Sequence, residues 1–291
     1  MNDEPPQSVG VVGTGTMGAP IARNLAASGF EVYAWNRTVD RVNALDPADV
    51  KPVEHVVDLA GCDVVVTMLS DAAAVEAAMV DSGLLGAMGA GSVWLQMSTI
   101  GPRATRALME RCALAGPAFV DAPVLGTKQP AEQAALTVLL SGDAGPVARS
   151  DGVLAAVSAK RLVVGSADEA SRLKLVVNAW LLGMVGALAE SLTLAEDLEL
   201  DPDWFLQAIE GSAVDTPYAQ LKGPAMLKGS FPPSFPLRLA HKDARLLLQE
   251  EAVAGTRKAF AEAAAEALDE AMRLELGDLD VAAVAQVYRE R

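Results

Sequence analysis

Over the first half of the chain, short β-branched runs alternate with stretches of helical period: SVGVV, residues 17–28, EVYAW, the segment after Arg37, DVVVTML, AAAVEAAMV, SVWLQ, residues 102–115 and AFVDAPV. Strand and helix in alternation predict a parallel sheet with helices on both faces. The punctuation agrees, since Gly29 stands where a left-handed cap would close the first helix and Pro102 where its fixed φ suits a first helical turn. Two later runs, ALTVLLSG and KRLVVG, extend the sheet. From about residue 167 the β-branched runs vanish, and Ala/Leu/Glu-rich segments of helical period carry the chain to Arg291. The pattern therefore predicts an α/β domain over 1–166 and an all-helical domain over 167–291, joined by one long helix at 167–197. That helix starts polar, is apolar on every side in its middle and ends acidic. A helix apolar all round must be covered all round, which predicts a partner subunit against it and hence a homodimer or homotetramer.

Composition narrows the class. The chain has 291 residues, 51% of them hydrophobic, enough for two domains with substantial cores. A formal net charge of −15 would repel a phosphate backbone and argues against nucleic-acid binding. Two isolated cysteines, Cys62 and Cys112, form neither a disulfide framework nor a metal cluster, so no metal is expected and a reducing cytoplasm fits. The start MNDEPPQ is acidic and proline-bearing, unlike a secretory signal. The charge-free stretch 175–189 is shorter than the ~20 residues that span a bilayer and predicts a buried helix, not a membrane segment.

Gly13, Gly15 and Gly18 in VVGTGTMGAPIARNLAASG satisfy GxGxxG, directly after a strand and at the mouth of a helix. The first glycine permits a tight turn, the second lets backbone approach a pyrophosphate, and the third packs helix on strand. Thr14, Thr16 and Met17 complete this loop, so the α/β half is expected to be a Rossmann domain binding a dinucleotide. In NAD-binding domains the second strand ends in Asp or Glu, which holds the adenosine ribose hydroxyl. This chain has Asn36, Arg37 and Thr38. A carboxylate there would repel a 2′-phosphate, whereas Arg37 can fork onto it and Asn36 and Thr38 can donate to it. The loop therefore predicts NADP(H) in preference to NAD(H).

A nicotinamide enzyme acting on a carbonyl needs a proton donor, and the two histidines, His55 and His241, have no evident place beside a hydride. Lys174 opens the apolar helix with Asn178 one turn on, on the same face. By position alone it reads equally as a lysine snorkelling from a helix end.

Four segments, in order, carry a resemblance that bears on this choice: GTGTMGAPIARNLAASGFEVYAWNRT, DAPVLGTKQPAEQAALTVLLSG, LKLVVN and FPLRLAHKDARL. They resemble the cofactor, substrate, catalytic-lysine and C-terminal cofactor motifs of the β-hydroxyacid dehydrogenases, the group that includes 3-hydroxyisobutyrate dehydrogenase, tartronate semialdehyde reductase and the glyoxylate/succinic semialdehyde reductases. WNRT, KQPAE and FPL before the terminal KD are most similar to the last branch, whose members favour NADPH. The resemblance implies that Lys174 is the general acid in reduction and the base in reverse, with Asn178 orienting a small aldehyde, keto acid or hydroxyacid. It implies that Thr99 meets substrate or nicotinamide, that Met68, Leu69 and Ser70 line the cofactor, that Lys242 contacts it, and that Phe235 and Asp243 close the site. Where the family has PVSGG or PVSGS, this chain has PVLGT: Leu125 replaces the serine, leaving the amides around Gly126 and Thr127 and the Thr127 hydroxyl to hold a carboxylate. Imine reductases share fold and cofactor but generally lack the lysine and the DAPV-type motif. A cofactor-binding protein without turnover is a further alternative.

Overall fold

The computed structural model describes residues 7–289; the acidic start at residues 1–6 lies outside them. The chain forms two compact units, Met1–Lys174 and Leu175–Arg291.

The first unit is built on a nine-stranded sheet in the order β3-β2-β1-β4-β5-β6-β8-β7, with β9 paired to β8. Its strands are β1 Ser8–Val12, β2 Glu31–Trp35, β3 Val50–Pro52, β4 Val64–Thr67, β5 Val93–Gln96, β6 Ala118–Asp121, β7 Val124–Leu125, β8 Leu136–Ser141 and β9 Ser158–Gly165. Strands β1 to β6 are mutually parallel, as the alternation of strand and helix requires. Successive side chains of a strand face opposite sides of a sheet. Val64 and Val66 accordingly enter a core with Ile21, Ala22 and Leu25 of the helix Gly18–Ala27, whereas Val65 and Trp94 enter a second core with Met79, Leu84, Leu108 and Cys112. Both faces are covered, which is why these strands read as continuous apolar runs.

The sheet departs from the predicted pattern at AFVDAPV. This run divides at Ala122-Pro123, because proline has no amide to give to a ladder, and β7 turns back to pair antiparallel with β8. Strand β8 is antiparallel to β6 and β9 parallel to β8, so the far edge of the sheet is mixed. The short edge strand β3 has no periodicity of its own and was not expected from the pattern. Gly29 adopts φ +91°, the left-handed close of the first helix, and Pro102 begins the helix Pro102–Ala115.

The long helix runs Glu169–Asp197. In the second unit its Leu182, Val185, Leu188, Ala189 and Leu192 pack with Leu206, Met226, Leu237, Leu268, Val281 and Val284. By length and composition it could cross a membrane, yet this face is the core of a helical bundle. The opposite face is not covered by the described residues: Val176, Trp180 and Leu194 are 59%, 71% and 53% exposed.

Candidate active site

Sheet register fixes where the predicted residues of the first unit fall. Val12 lies opposite Trp35 and Thr67, Thr67 opposite Gln96, and Gln96 opposite Asp121. The strands thus end level with one another, and residues 13–18, 36–38, 68–70, 97–101 and 122–127 all leave from that one carboxyl edge. Ligands of open α/β sheets bind in the crevice beyond this edge.

Each glycine of the phosphate loop has its own reason. Gly13 holds φ +102°, and a Cβ there would collide with the Met68 carbonyl oxygen; a Cβ on Gly18 would collide with the Gly13 carbonyl oxygen. These two are required by the protein itself. A Cβ on Gly15 would meet only Arg41 Nη1, at 3.7 Å, an ordinary contact. Among the described residues nothing forbids a side chain at Gly15, which leaves room for a ligand to come close to the backbone there. Thr14 Oγ1 is buried and has no hydrogen-bond partner, a second group left waiting for a ligand. The loop fits a dinucleotide pyrophosphate, with Gly13 to Gly18 as its holders.

Asn36 has a structural role besides the one its position suggests. Its Oδ1 accepts from the Thr14 amide at 3.0 Å and its Nδ2 donates to the Thr38 carbonyl at 3.0 Å, so half of its hydrogen-bonding capacity joins the phosphate loop to the acceptor loop. Arg37 and Thr38 are exposed. Arg41, which no motif singles out, comes over Gly15 from the short helix Val39–Asn43 and adds a second guanidinium at this end.

Further along the edge, Ser98 clamps two loops. Its Oγ accepts from the Leu69 amide at 2.9 Å and donates to the Thr67 carbonyl at 3.2 Å, while its own amide donates to Gln96 Oε1 at 2.7 Å. Met68 and Leu69 are thereby fixed next to Thr99, and all three are half-buried. Ser70 is exposed. On the next loop Leu125 belongs to β7 and Gly126 adopts φ +128°, where a Cβ would press on Leu136 and Pro130. Thr127 is half-buried and precedes the short helix Lys128–Glu132. Lys174 is half-buried, in the second turn of the long helix.

In the second unit, Asn178 and Asp243 are both buried and joined, Asn178 Nδ2 donating to Asp243 Oδ2 at 2.6 Å. Lys242 Nζ lies 2.6 Å from Asp243 Oδ1. Asp243 therefore orients Asn178 as well as meeting Lys242. Phe235 is half-buried, its amide donating to Asp280 Oδ2 at 3.1 Å. His241 is paired with Asp269 at 2.7 Å, and burial, with Arg245 beside it, lowers its pKa from the usual histidine value. The two cysteine thiols are buried, and burial pushes them up to about 11 for Cys62 and about 12 for Cys112, too high for a thiolate nucleophile. Among the described residues no cluster of His, Cys, Asp or Glu could hold a metal ion.

Comparison with known proteins identifies the class. Residues 8–165 match the NAD binding domain of 6-phosphogluconate dehydrogenase, and residues 169–288 the NAD-binding domain of NADP-dependent 3-hydroxyisobutyrate dehydrogenase. Glyoxylate/succinic semialdehyde reductase 1 of Arabidopsis thaliana is 32% identical over 97% of this chain and 98% of its own length. Among solved structures, 3-hydroxyisobutyrate dehydrogenase from Salmonella typhimurium superposes with a TM-score of 0.89 at 22% identity, over 96% of this chain and 99% of that one. The Mycobacterium tuberculosis 3-hydroxyisobutyrate dehydrogenase, solved with L-serine, gives 0.87 at 25% identity, over 98% and 99%. Fold, phosphate loop and relatives define an NAD(P)-dependent oxidoreductase acting on CH–OH groups. The chain belongs to the β-hydroxyacid dehydrogenase family.

Proposed function

We propose that this protein is an NADP(H)-dependent reductase of a small aldehyde or keto acid, able to run the reverse hydroxyacid oxidation, with Lys174 as general acid and base. The carrying observation is the place of Lys174: it follows by one turn a helix start hydrogen-bonded to β6 and β8, at the sheet edge from which the cofactor loops leave. Bound cofactor supplies or accepts a hydride. The Lys174 ammonium donates its proton to the carbonyl oxygen and offsets the alkoxide charge as it develops. Asn178, held by Asp243, orients the substrate. Phe235 and Asp243 close the site, and Lys242 reaches the cofactor. Leu125 removes a hydroxyl from the carboxylate end, so recognition there falls to the amides of Gly126 and Thr127 and the Thr127 hydroxyl.

The NADP(H) preference rests on the missing acid at 36–38 and on exposed Arg37, with Arg41 beside it. The domain division we adopt is a cofactor domain over 1–166 and a helical substrate and dimerisation domain over 167–291. The apolar stripe Val176, Trp180 and Leu194 is covered by a second copy of the chain in a homodimer or homotetramer. The two free thiols suit the cytoplasm.

The experiment is NADPH oxidation with glyoxylate, succinic semialdehyde, tartronate semialdehyde, methylmalonate semialdehyde and a cyclic imine, for the wild type and Lys174→Ala. Turnover of one of the four carbonyl acids, lost in the variant, is expected. Full turnover by Lys174→Ala refutes the lysine mechanism, and reduction of the imine alone refutes the substrate class.

A further inference from the structure

Beneath the carboxyl edge, the Thr99–Gly101 loop, β6 and the start of the long helix are joined by buried oxygens that neither cofactor nor substrate is expected to touch. Asp121 ends β6 and is 0% exposed. Its Oδ2 accepts from the Ser171 amide at 2.7 Å, and its Oδ1 lies 2.9 Å from Ser171 Oγ. Ser171 Oγ is in turn 2.9 Å from Thr105 Oγ1, which lies 3.0 Å from the Gly101 carbonyl oxygen. Ser141, opposite Asp121 in the antiparallel bridge, accepts from the Ala170 amide at 2.7 Å. The first amides of a helix have no partner within it. Here two consecutive ones are met by side chains from adjacent strands, one turn before Lys174.

Counting protons shows which form of Asp121 completes this chain. From Asp121 Oδ1 through Ser171 Oγ and Thr105 Oγ1 to the Gly101 carbonyl there are three contacts, each needing one proton. With the carboxylate ionised, the two hydroxyls supply two, and one contact sets oxygen against oxygen. A neutral carboxyl supplies the third: Asp121 donates to Ser171, Ser171 to Thr105, and Thr105 to Gly101, while Oδ2 still accepts the Ser171 amide. The surroundings lean the same way. Burial raises the Asp121 carboxyl, the two bonds from Ser171 oppose it, and the nearby charges of Asp168 and Glu169 add to the rise, leaving it at about 7. Arg106 and Arg172 pair with Asp168 at 3.6 and 3.1 Å, and Arg172 also with Glu169 at 3.2 Å.

We infer that Asp121 is a positioning residue for Lys174: as a neutral acid it hangs the first turn of the long helix on β6 and, through Ser171 and Thr105, ties both to the Thr99–Gly101 loop, and its ionisation loosens that attachment. The inference rests on the proposed role of Lys174. Asp121 stands 50 residues from Ser171 in sequence, so no local pattern predicts the pair.

The test uses Asp121→Asn, which reproduces the neutral acid: Nδ2 donates to Ser171 Oγ, Oδ1 accepts the Ser171 amide, and nothing ionises. The ratio of variant to wild-type kcat is expected to rise at least about threefold between pH 6 and pH 8.5, because only the wild type loses its anchor, while KM for NADPH stays level. An infrared difference spectrum of wild type minus variant should contain a protonated-carboxyl band at pH 6 that disappears across neutrality, a readout independent of turnover. Thermal unfolding gives the same sign: with the folded value near 7 and the unfolded value near 3.8, the stability contributed by neutral Asp121 is present below about pH 3.8 and lost as pH rises through about 7. Absence of the band at pH 6 overturns the neutral acid, and parallel kcat profiles with the band present overturn the positioning role. Full activity of Lys174→Ala with the band intact would instead be a failure of the proposed mechanism.

Discussion

The backbone amide of Thr14 donates to Asn36 Oδ1 at 3.0 Å, so the phosphate loop and the acceptor loop, 22 residues apart, are one hydrogen-bonded unit. This separates two roles that sit side by side in sequence. On the proposed reading, Asn36 shapes the site for any dinucleotide, whereas Arg37 rewards only one that carries a 2′-phosphate. Asn36→Ala should weaken NADPH and NADH alike, each by about fivefold for the ~1 kcal/mol of a neutral hydrogen bond. Arg37→Ala should weaken NADPH alone, by about 10- to 150-fold for a charge-assisted contact. Fluorescence titration of both variants with both cofactors checks the split, and a selective effect of Asn36→Ala would reverse the assignment.

The glycines of the loop should separate in the same way. Gly15→Ala introduces a Cβ whose nearest neighbour is Arg41 Nη1 at 3.7 Å, so it should melt with the wild type and lose NADPH binding. Gly18→Ala drives a Cβ into the Gly13 carbonyl oxygen and should destabilise the fold itself. Thermal melts without cofactor, followed by NADPH titration, distinguish the two. An unchanged NADPH affinity in Gly15→Ala would mean that the pyrophosphate does not approach there.

Lys222 and Asp280 form a buried ion pair in the second unit, with Lys222 Nζ 2.7 Å from Asp280 Oδ1, both side chains about 5% exposed or less. Asp280 Oδ2 also accepts the Ser234 and Phe235 amides at 2.9 and 3.1 Å, so the pair fixes the backbone of a predicted site residue. Asp280→Ala leaves the lysine buried without a counter-charge and should cost about 3–5 kcal/mol, read by urea unfolding at pH 7. Burial raises the Asp280 carboxyl, but the bonds from Lys222 and from the Ser234 and Ala282 amides outweigh it and hold it below the ordinary carboxylate value. The stability it contributes is thus present above about pH 3.8 and lost as pH falls through the lower folded value. Asp280→Ala should therefore unfold with less acid dependence than the wild type.

Trp180 is 71% exposed on a helix face that also offers Val176 and Leu194. A large apolar side chain left in water on such a stripe favours association. Size-exclusion at micromolar concentration should return a dimer or larger for the wild type and a smaller species for Trp180→Glu. A wild type that elutes as a pure monomer would remove the second copy from this face.

Much of the cofactor half was legible in the sequence because its determinants are local. Glycine spacing, the strand before it and the helix after it act within about twenty residues, and Gly18 answers to the Gly13 carbonyl in the same loop, whereas the need for Gly13 is set by Met68 on another loop. The missing acid at the end of β2 was equally visible. What Asn36 does was not, because Thr14, its partner, lies in the loop after another strand. The Ser98 clamp on Leu69, and Arg41 over Gly15, likewise depend on which loops the sheet brings together.

The sequence by itself determined the class of fold, the cofactor loop and the long helix that carries Lys174 and Asn178, since periodicity and turn chemistry are properties of near neighbours along the chain. Only the tertiary structure decided that β7 reverses at Pro123, that one face of the long helix is left uncovered by the described residues, and that Asp121, Ser171 and Thr105 meet in a buried chain of hydrogen bonds. Those outcomes join residues dozens of positions apart, and the free energy of burying a polar group is fixed by the partner it finds there, which no local pattern records.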